Sequence, residues 1–169
     1  MYYYATYPSP LGEITLLSNT TILLGLRFTH QRHIAHPDHW QHATLRETLP
    51  ILMAKDWLSA YFAGKTPDPK LVPIQLHATP FQTEVFTQLQ KIPYGTTVTY
   101  HELSQVLQTN NTKKKNYARA IGNALRNNPL LLVFPCHRVV ASAGGLGGYV
   151  AGSETKRALL RLEGVNLTK

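Results

Sequence analysis

A chain of 169 residues and 19.0 kDa can form one or two small domains with real apolar cores and needs no disulfide or metal to staple them. Apolar residues make up 43% and charged residues 15%, and no apolar run approaches a membrane span, which excludes disordered, collagenous, coiled-coil and transmembrane classes. The single cysteine excludes an internal disulfide and a multi-cysteine zinc site. Because Met1-Tyr2-Tyr3-Tyr4 has neither a basic nor an apolar leader segment, a cytoplasmic chain (nuclear in a eukaryote) is expected, not a secreted one.

The net charge of +8 is unevenly placed. Residues 1–89 carry six basic and six acidic residues, whereas residues 90–169 carry eleven basic residues against Glu102, Glu154 and Glu163. A basic half beside a neutral half suggests a polyanion-binding domain on a neutral partner, with a merely basic soluble protein as the bland alternative.

Tyr2 to Phe28 reads as β structure: Tyr3–Tyr7, then a Pro8–Gly12 turn, an alternating Glu13–Leu17 and an apolar Ile22–Phe28. His30, His33, His36, His39 and His42 follow at a spacing of three. Pro37 interrupts any helix and no cysteine accompanies them, so a solvated loop is expected and no metal site. Leu45–Phe62 predicts a helix with Leu49, Leu52, Met53, Trp57, Leu58, Tyr61 and Phe62 at helical intervals, stopped by Gly64. A proline-rich connector, with one short strand near Val72–Leu76, ends the N-terminal domain at residue 78.

The second domain, 79–169, opens with Thr79 as N-cap and Pro80 in the first turn; Phe81, Val85, Phe86, Leu89 and Ile92 form its apolar stripe. Thr99 caps a helix from Tyr100 to Leu107, with Glu102 in the capping-box position. A polar loop, Gln108–Asn116, contains Lys113, Lys114 and Lys115. The next helix, Tyr117–Asn127, turns Ala118, Ile121, Ala124 and Leu125 inward and Arg119, Asn123 and Arg126 outward. Two short helices, the second bearing arginines and small residues, form a helix-turn-helix pattern, which other α-domains also show.

Leu130–Phe134 is expected to be a strand buried on both faces, delivering Pro135-Cys136-His137-Arg138 at its exit. A lone cysteine is usually a small buried hydrophobe, but imidazole and guanidinium neighbours favour a reactive thiolate. The loop Gly144-Gly145-Leu146-Gly147-Gly148-Tyr149 lets backbone approach a flat ligand, on which Tyr149 could stack, and it fits no dinucleotide or phosphate-loop spacing. A last helix, Glu154–Glu163, with Leu159, Leu160 and Leu162 inward, ends at Gly164.

Pro135-Cys136-His137-Arg138-Val139 resembles the active-site signature of the O6-alkylguanine-DNA alkyltransferases, the methylated-DNA–protein-cysteine methyltransferases. The resemblance extends in order through Thr79–Gln82, Ile92–Gly95, Thr99-Tyr100, Ala118–Gly122, Asn127–Pro129, Gly147–Tyr149 and Leu162–Gly164. Weaker matches lie at Ser9–Gly12 and Tyr61–Gly64. The implied fold is α/β: a small antiparallel sheet with a helix, then a mostly helical domain with the helix-turn-helix.

The implied function is direct reversal of O6-alkylguanine damage in double-stranded DNA, with O4-alkylthymine left open. The base is flipped out and its alkyl group moves irreversibly to Cys136, once per molecule. Cys136, His137, Glu163 and Asn128 would form the catalytic set, linked by a bridging water. Tyr100, Leu125, Val139, Tyr149 and Val150 would form the base pocket, with the Cys136 and Val139 carbonyls accepting the guanine amino group. Arg119 would replace the extruded base, and Tyr100, Gln82, His101, Arg126, Ser142 and Lys113–Lys115 would contact DNA. No cofactor, metal or obligate protein partner is implied, and a monomer is expected.

The sequence departs from the family in three places. The inter-helix turn is longer by about five residues and carries three lysines, which are either extra phosphate contacts or a solvated loop. Val150 stands where many relatives have a small or polar residue, and the cysteines that some use for zinc are missing. The rival readings are a lesion sensor that binds without repairing, a cysteine hydrolase and a plain helix-turn-helix transcription factor. The sensor class lacks the cysteine. The hydrolase lacks an oxyanion-hole motif beyond the glycines, and a transcription factor leaves Cys136 and the glycine loop unexplained.

Overall fold

The computed structural model describes residues 1–109 and 117–167, the side chains of 108 and 109 excepted, and there the chain forms two compact units. One holds Met1–His77 together with Pro129–Val133, and the other holds Ala78–Asn128 and the chain from Phe134 onward. A single division after residue 78 differs from these units at six residues, Ala78 and Pro129–Val133. Among the described residues no helix is long and apolar enough to cross a membrane.

In the first unit β1 (Tyr3–Ser9), β2 (Gly12–Ser18) and β3 (Leu23–Phe28) form an antiparallel meander, and β4 (Thr44–Leu45) adds in parallel to β1, giving the order β3-β2-β1-β4. Five consecutive β2 residues, Ile14–Ser18, are buried, so both faces of this central strand are covered. Trp40 supplies part of that cover from α1 (Pro37–Gln41), a short helix inside the stretch expected to be loop. Its ring lies so close over Gly25 that a Cβ there would sit 2.4 Å from Trp40 Cζ2. The Arg27 guanidinium stacks on the same ring at 4.6 Å. His36 stacks on His39 and His39 on Tyr2, at 5.5 and 4.7 Å. No trio of His, Cys, Asp or Glu among the described residues is arranged to hold a metal.

The helix α2 (Leu49–Phe62) begins four residues later than Leu45 because Thr44 and Leu45 pair with Tyr3 and Tyr4, and Thr48 then caps it by accepting from the Ile51 amide. It buries Pro50, Ile51, Ala54, Trp57, Leu58 and Tyr61. Each large apolar side chain so buried contributes roughly 1.5–3 kcal/mol. Leu49, Leu52 and Met53, expected inside, are exposed. Beyond α2 the connector forms a 3-10 turn at Pro69–Leu71, and Ile74 makes only an isolated bridge with Leu23 in place of a strand.

Leu130–Phe134 is buried throughout, as its composition implies, but it is no continuous strand. Leu26 donates to the Pro129 carbonyl and accepts from the Leu131 amide, forming a single bridge on β3; Leu132 then turns at φ +71°, a left-handed conformation that ends the pairing.

The second unit packs α3 (Pro80–Gln90), α4 (Tyr100–Thr109), α5 (Ala118–Arg126) and α6 (Ser153–Leu162) with a two-residue parallel pair, β5 (Val98–Thr99) and β6 (Val139–Val140). Capping boxes open α3 and α4. Thr79 and Gln82 exchange hydrogen bonds of 3.1 and 3.1 Å, and Thr99 and Glu102 exchange bonds of 3.1 and 3.0 Å. Phe86 stacks on Phe134 at 5.1 Å within a core of Val85, Leu89, Leu103, Ile121, Leu159 and Leu160. On α5 Ile121, Ala124 and Leu125 are buried, while Ala118, assigned inward from the sequence, joins Arg119, Ala120, Gly122, Asn123 and Arg126 on the exposed face.

Candidate active site

Cys136 opens a 3-10 turn, Cys136–Arg138, so it sits on a turn and not on a strand exit. The turn is held from both sides of the chain. The Asn128 side-chain amide donates to the Phe134 carbonyl at 2.8 Å, and the Arg138 amide donates to the Pro135 carbonyl at 3.0 Å. Cys136, His137 and Arg138 are all buried, as are Asn128 and Glu163.

The chemistry of the turn converges on Glu163, which follows the last turn of α6. His137 Nε2 lies 2.6 Å from Glu163 Oε2 in a fully buried pair. Arg138 donates through Nε to Oε1 at 2.8 Å and through Nη2 to Oε2 at 3.1 Å, and its Nη1 reaches the Ile92 carbonyl at 2.8 Å. The Gly95 amide adds a 3.1 Å bond to Oε1. Gly95 stands at φ +80°, and a Cβ there would lie 2.9 Å from the Glu163 carbonyl oxygen, so the close approach needs glycine.

Burial opposes the Glu163 charge, but hydrogen bonds from His137 and Arg138 outweigh it and hold the carboxyl well below its usual range. It is therefore a carboxylate, Nε2 of His137 carries the proton that faces it, and Nδ1 is the basic nitrogen. Nδ1 is buried and has no hydrogen-bond partner among the described residues. Burial also lowers the proton affinity of His137, against the pull of Glu163, with the charges of Arg138 and Lys156 adding to the lowering.

Burial pushes the Cys136 thiol up to about 11, partly offset by a hydrogen bond from Asn128, the charge of Lys156 and a backbone amide. At neutral pH Cys136 is a thiol, so its reaction as a nucleophile requires a base.

Lys156 on α6 is fully buried, and burial brings it down to about 8. Its ammonium donates to the Val139 carbonyl at 2.6 Å and to the Gly148 carbonyl at 3.0 Å, tying β6 to the glycine loop. In that loop Gly147 adopts φ +76°, and a Cβ on it would meet Tyr100 Cε2 at 3.0 Å. The half-buried Tyr100 has its hydroxyl pushed up, first by burial and then by Cys136, which places the phenol near the thiol. The Tyr149 ring stands edge-on to His137, 6.4 Å between centroids.

Two family profiles match the chain. One describes the ribonuclease-like domain of 6-O-methylguanine DNA methyltransferase and covers residues 2–76; the other describes its DNA-binding domain and covers residues 80–165. The methylated-DNA–protein-cysteine methyltransferase of Mycobacterium tuberculosis is 37% identical over 163 residues, 96% of this chain and 93% of that protein. That of Metallosphaera sedula is 38% identical over 161 residues, 95% and 92% of the two chains. The chain belongs to the methylated-DNA–protein-cysteine methyltransferases.

The crystal structure of the M. tuberculosis O6-methylguanine methyltransferase superposes with a TM-score of 0.80 at 38% identity, covering 96% and 93% of the two chains. The same enzyme in complex with DNA gives 0.79 at 37% identity, covering 95% and 92%. DNA repair by alkyl transfer, DNA binding and the mixed α/β fold follow from this membership.

Of the residues this methyltransferase was expected to use, Cys136, His137, Glu163 and Asn128 share one buried cluster, with Tyr100, Tyr149 and Val139 around it. Leu125 is buried on α5, and Val150 is half-buried at the end of the glycine loop. Arg119, Arg126, His101 and Ser142 are exposed. Gln82 is half-buried, with its side-chain carbonyl engaged by the Thr79 amide. Lys113, Lys114 and Lys115 lie outside the described residues.

Lys156 has no role that the sequence alone indicates, and Arg138 none beyond its charge. A signal for Lys156 was present. Lys156, Leu159, Leu160 and Glu163 recur at i, i+3, i+4 and i+7, which places two charges on the buried stripe of α6.

Proposed function

We propose that this methyltransferase reverses O6-alkylguanine damage in duplex DNA by accepting the alkyl group on Cys136, once per molecule. The observation that carries the reading is a buried, protonated Cys136 next in the chain to an imidazole whose Nε2 is locked by Glu163 and whose buried Nδ1 has no hydrogen-bond partner among the described residues. That arrangement calls for a base acting through a bridging water. His137 takes the thiol proton as the Cys136 sulfur forms its bond to the alkyl carbon and the bond from that carbon to O6 breaks, with the electron pair leaving on guanine.

The base reaches Cys136 only after flipping out of the duplex. Arg119, exposed on α5 among Ala118, Ala120 and Gly122, fills the space the base leaves, and these small residues allow close approach to the backbone. Tyr100, beside the thiol, contacts the flipped base. The Val139 carbonyl already accepts from Lys156 and presents its second lone pair to the guanine amino group.

The test is to mix the protein with a short duplex bearing one O6-methylguanine and weigh the intact protein. A gain of about 14 Da, saturating at one per molecule and absent in Cys136→Ala, is the expected result. An unchanged mass with DNA binding retained would leave a protein that binds lesions without repairing them.

A further inference from the structure

Arg138 grips both carboxylate oxygens of Glu163, yet stands outside the acceptor, base and orienting roles. Its guanidinium holds both carboxylate oxygens, at 2.8 and 3.1 Å, while His137 holds one of them at 2.6 Å. All three residues are buried.

A carboxylate that close to a buried imidazole has two effects. It orients the ring, which the proton transfer needs. It also attracts a proton onto the ring in the resting protein, which would destroy the base before substrate arrives, and a low local dielectric strengthens that attraction. A guanidinium bound to the same carboxylate cancels most of its field at the imidazole and leaves the His137–Glu163 hydrogen bond intact.

We propose that Arg138 is a positioning residue for the transfer step: by holding Glu163 through both oxygens, it lets the carboxylate orient His137 while keeping His137 neutral at rest. It also fixes where the thiol proton stops. A carboxylate held by a two-pronged cation is a poor proton acceptor, so the proton taken from Cys136 remains on the imidazole. The inference rests on the reading of His137 as the base for Cys136.

The groups facing His137 are Glu163 and Lys156 from α6, Arg138 and Cys136 from its own turn, and the Tyr149 ring from the glycine loop. Glu163 alone among them draws a proton onto the ring, and Arg138 is bonded to it. Lys156 bonds instead to the Val139 and Gly148 carbonyls.

The experiment compares wild type, Arg138→Gln and Arg138→Lys by two readouts: the pH profile of transfer from O6-methylguanine duplex, and the His137 imidazole titration followed by NMR without DNA. In Arg138→Gln the imidazole titration and the acid limb of the rate should both move up by about one pH unit, so that transfer near pH 6 falls about tenfold more than transfer near pH 8.5. Arg138→Lys keeps the charge, and its limb should stay within about half a unit of wild type while the rate falls uniformly with the lost fork. A rate lowered equally at every pH in Arg138→Gln, with an unmoved imidazole, would make Arg138 merely structural and overturn the proposal.

Should Arg138→Gln fail to fold, Arg138→Met, which keeps much of the side-chain bulk without the charge, takes its place: an imidazole titration raised above that of wild type supports the proposal, and an unmoved one overturns it. The NMR readout uses no substrate, so it stands apart from the mass test of alkyl transfer.

Discussion

The two units handle buried polarity in opposite ways. In the first, the buried polar side chains are Thr15, Ser18, Gln31 and Thr48, all uncharged. Thr15 pairs with Thr29 at 2.6 Å and Ser18 with Thr48 at 2.5 Å. In the second, His137, Arg138, Lys156 and Glu163 are buried together within one stretch of chain. Neutral pairs cost little to bury, whereas each buried ion carries a desolvation penalty of several kcal/mol before its partners offset it. The first unit buries only neutral polar side chains, and the second gathers its buried charges around the turn that carries Cys136.

The strongest way to break this contrast is Glu163→Gln. It removes the orienting carboxylate and leaves Arg138 buried without its anion. Transfer should fall by about 10²–10⁴ and stability by about 3–5 kcal/mol, read from the transfer rate on O6-methylguanine duplex and from urea unfolding. Near-wild-type transfer would mean the buried charges serve the fold and not the chemistry.

Gly25→Ala sharpens the contrast from the other side. The added Cβ meets Trp40 at 2.4 Å, so the first unit should lose about 1–3 kcal/mol of stability while the transfer rate of the folded protein stays within twofold. A large loss of rate in well-folded protein would show that the first unit also sets the chemistry.

The smallest effect lies in alkaline stability. A thiol pushed from 9.0 to about 11 keeps its proton longer folded than unfolded, so wild type loses stability as pH rises through that window. Lys156, brought from 10.5 to about 8, works in the opposite sense: the unfolded chain binds the extra proton there, so stability rises across that interval. Cys136→Ala removes only the first contribution and should gain on wild type between pH 9 and 11 in denaturant titrations. No relative gain would place the thiol in a far more polar setting.

The site was legible in the sequence to the extent that its chemistry is local. Pro135–Val139 carries the proposed acceptor and its proposed base in adjacent positions, and Thr99 with Glu102 announces the start of α4 by spacing alone. What was not legible depended on tertiary choice. Nothing in an apolar run specifies that Leu132 turns at φ +71°, so Leu130–Phe134 read as a strand. Leu49, Leu52 and Met53 have the right period for a core stripe, but α2 buries the adjacent face through Ile51, Ala54 and Leu58. Arg138 and Lys156 look like surface charges until their partners, Glu163 and the carbonyls of Val139 and Gly148, are known.

The path of the chain through Pro129–Val133 bears on how the protein is made. Leu26 on β3 has its backbone amide and carbonyl satisfied by residues synthesised more than a hundred positions later. A nascent chain that has emerged as far as His77 therefore presents β3 with an edge unpaired at Leu26, a surface that invites pairing with other strands. At ordinary elongation rates of roughly 5–20 residues per second, that edge waits several seconds for Leu130 and Leu131 to arrive. An N-terminal fragment cut at residue 78 would never receive them, and its Leu26 edge should make it more aggregation-prone than the whole chain.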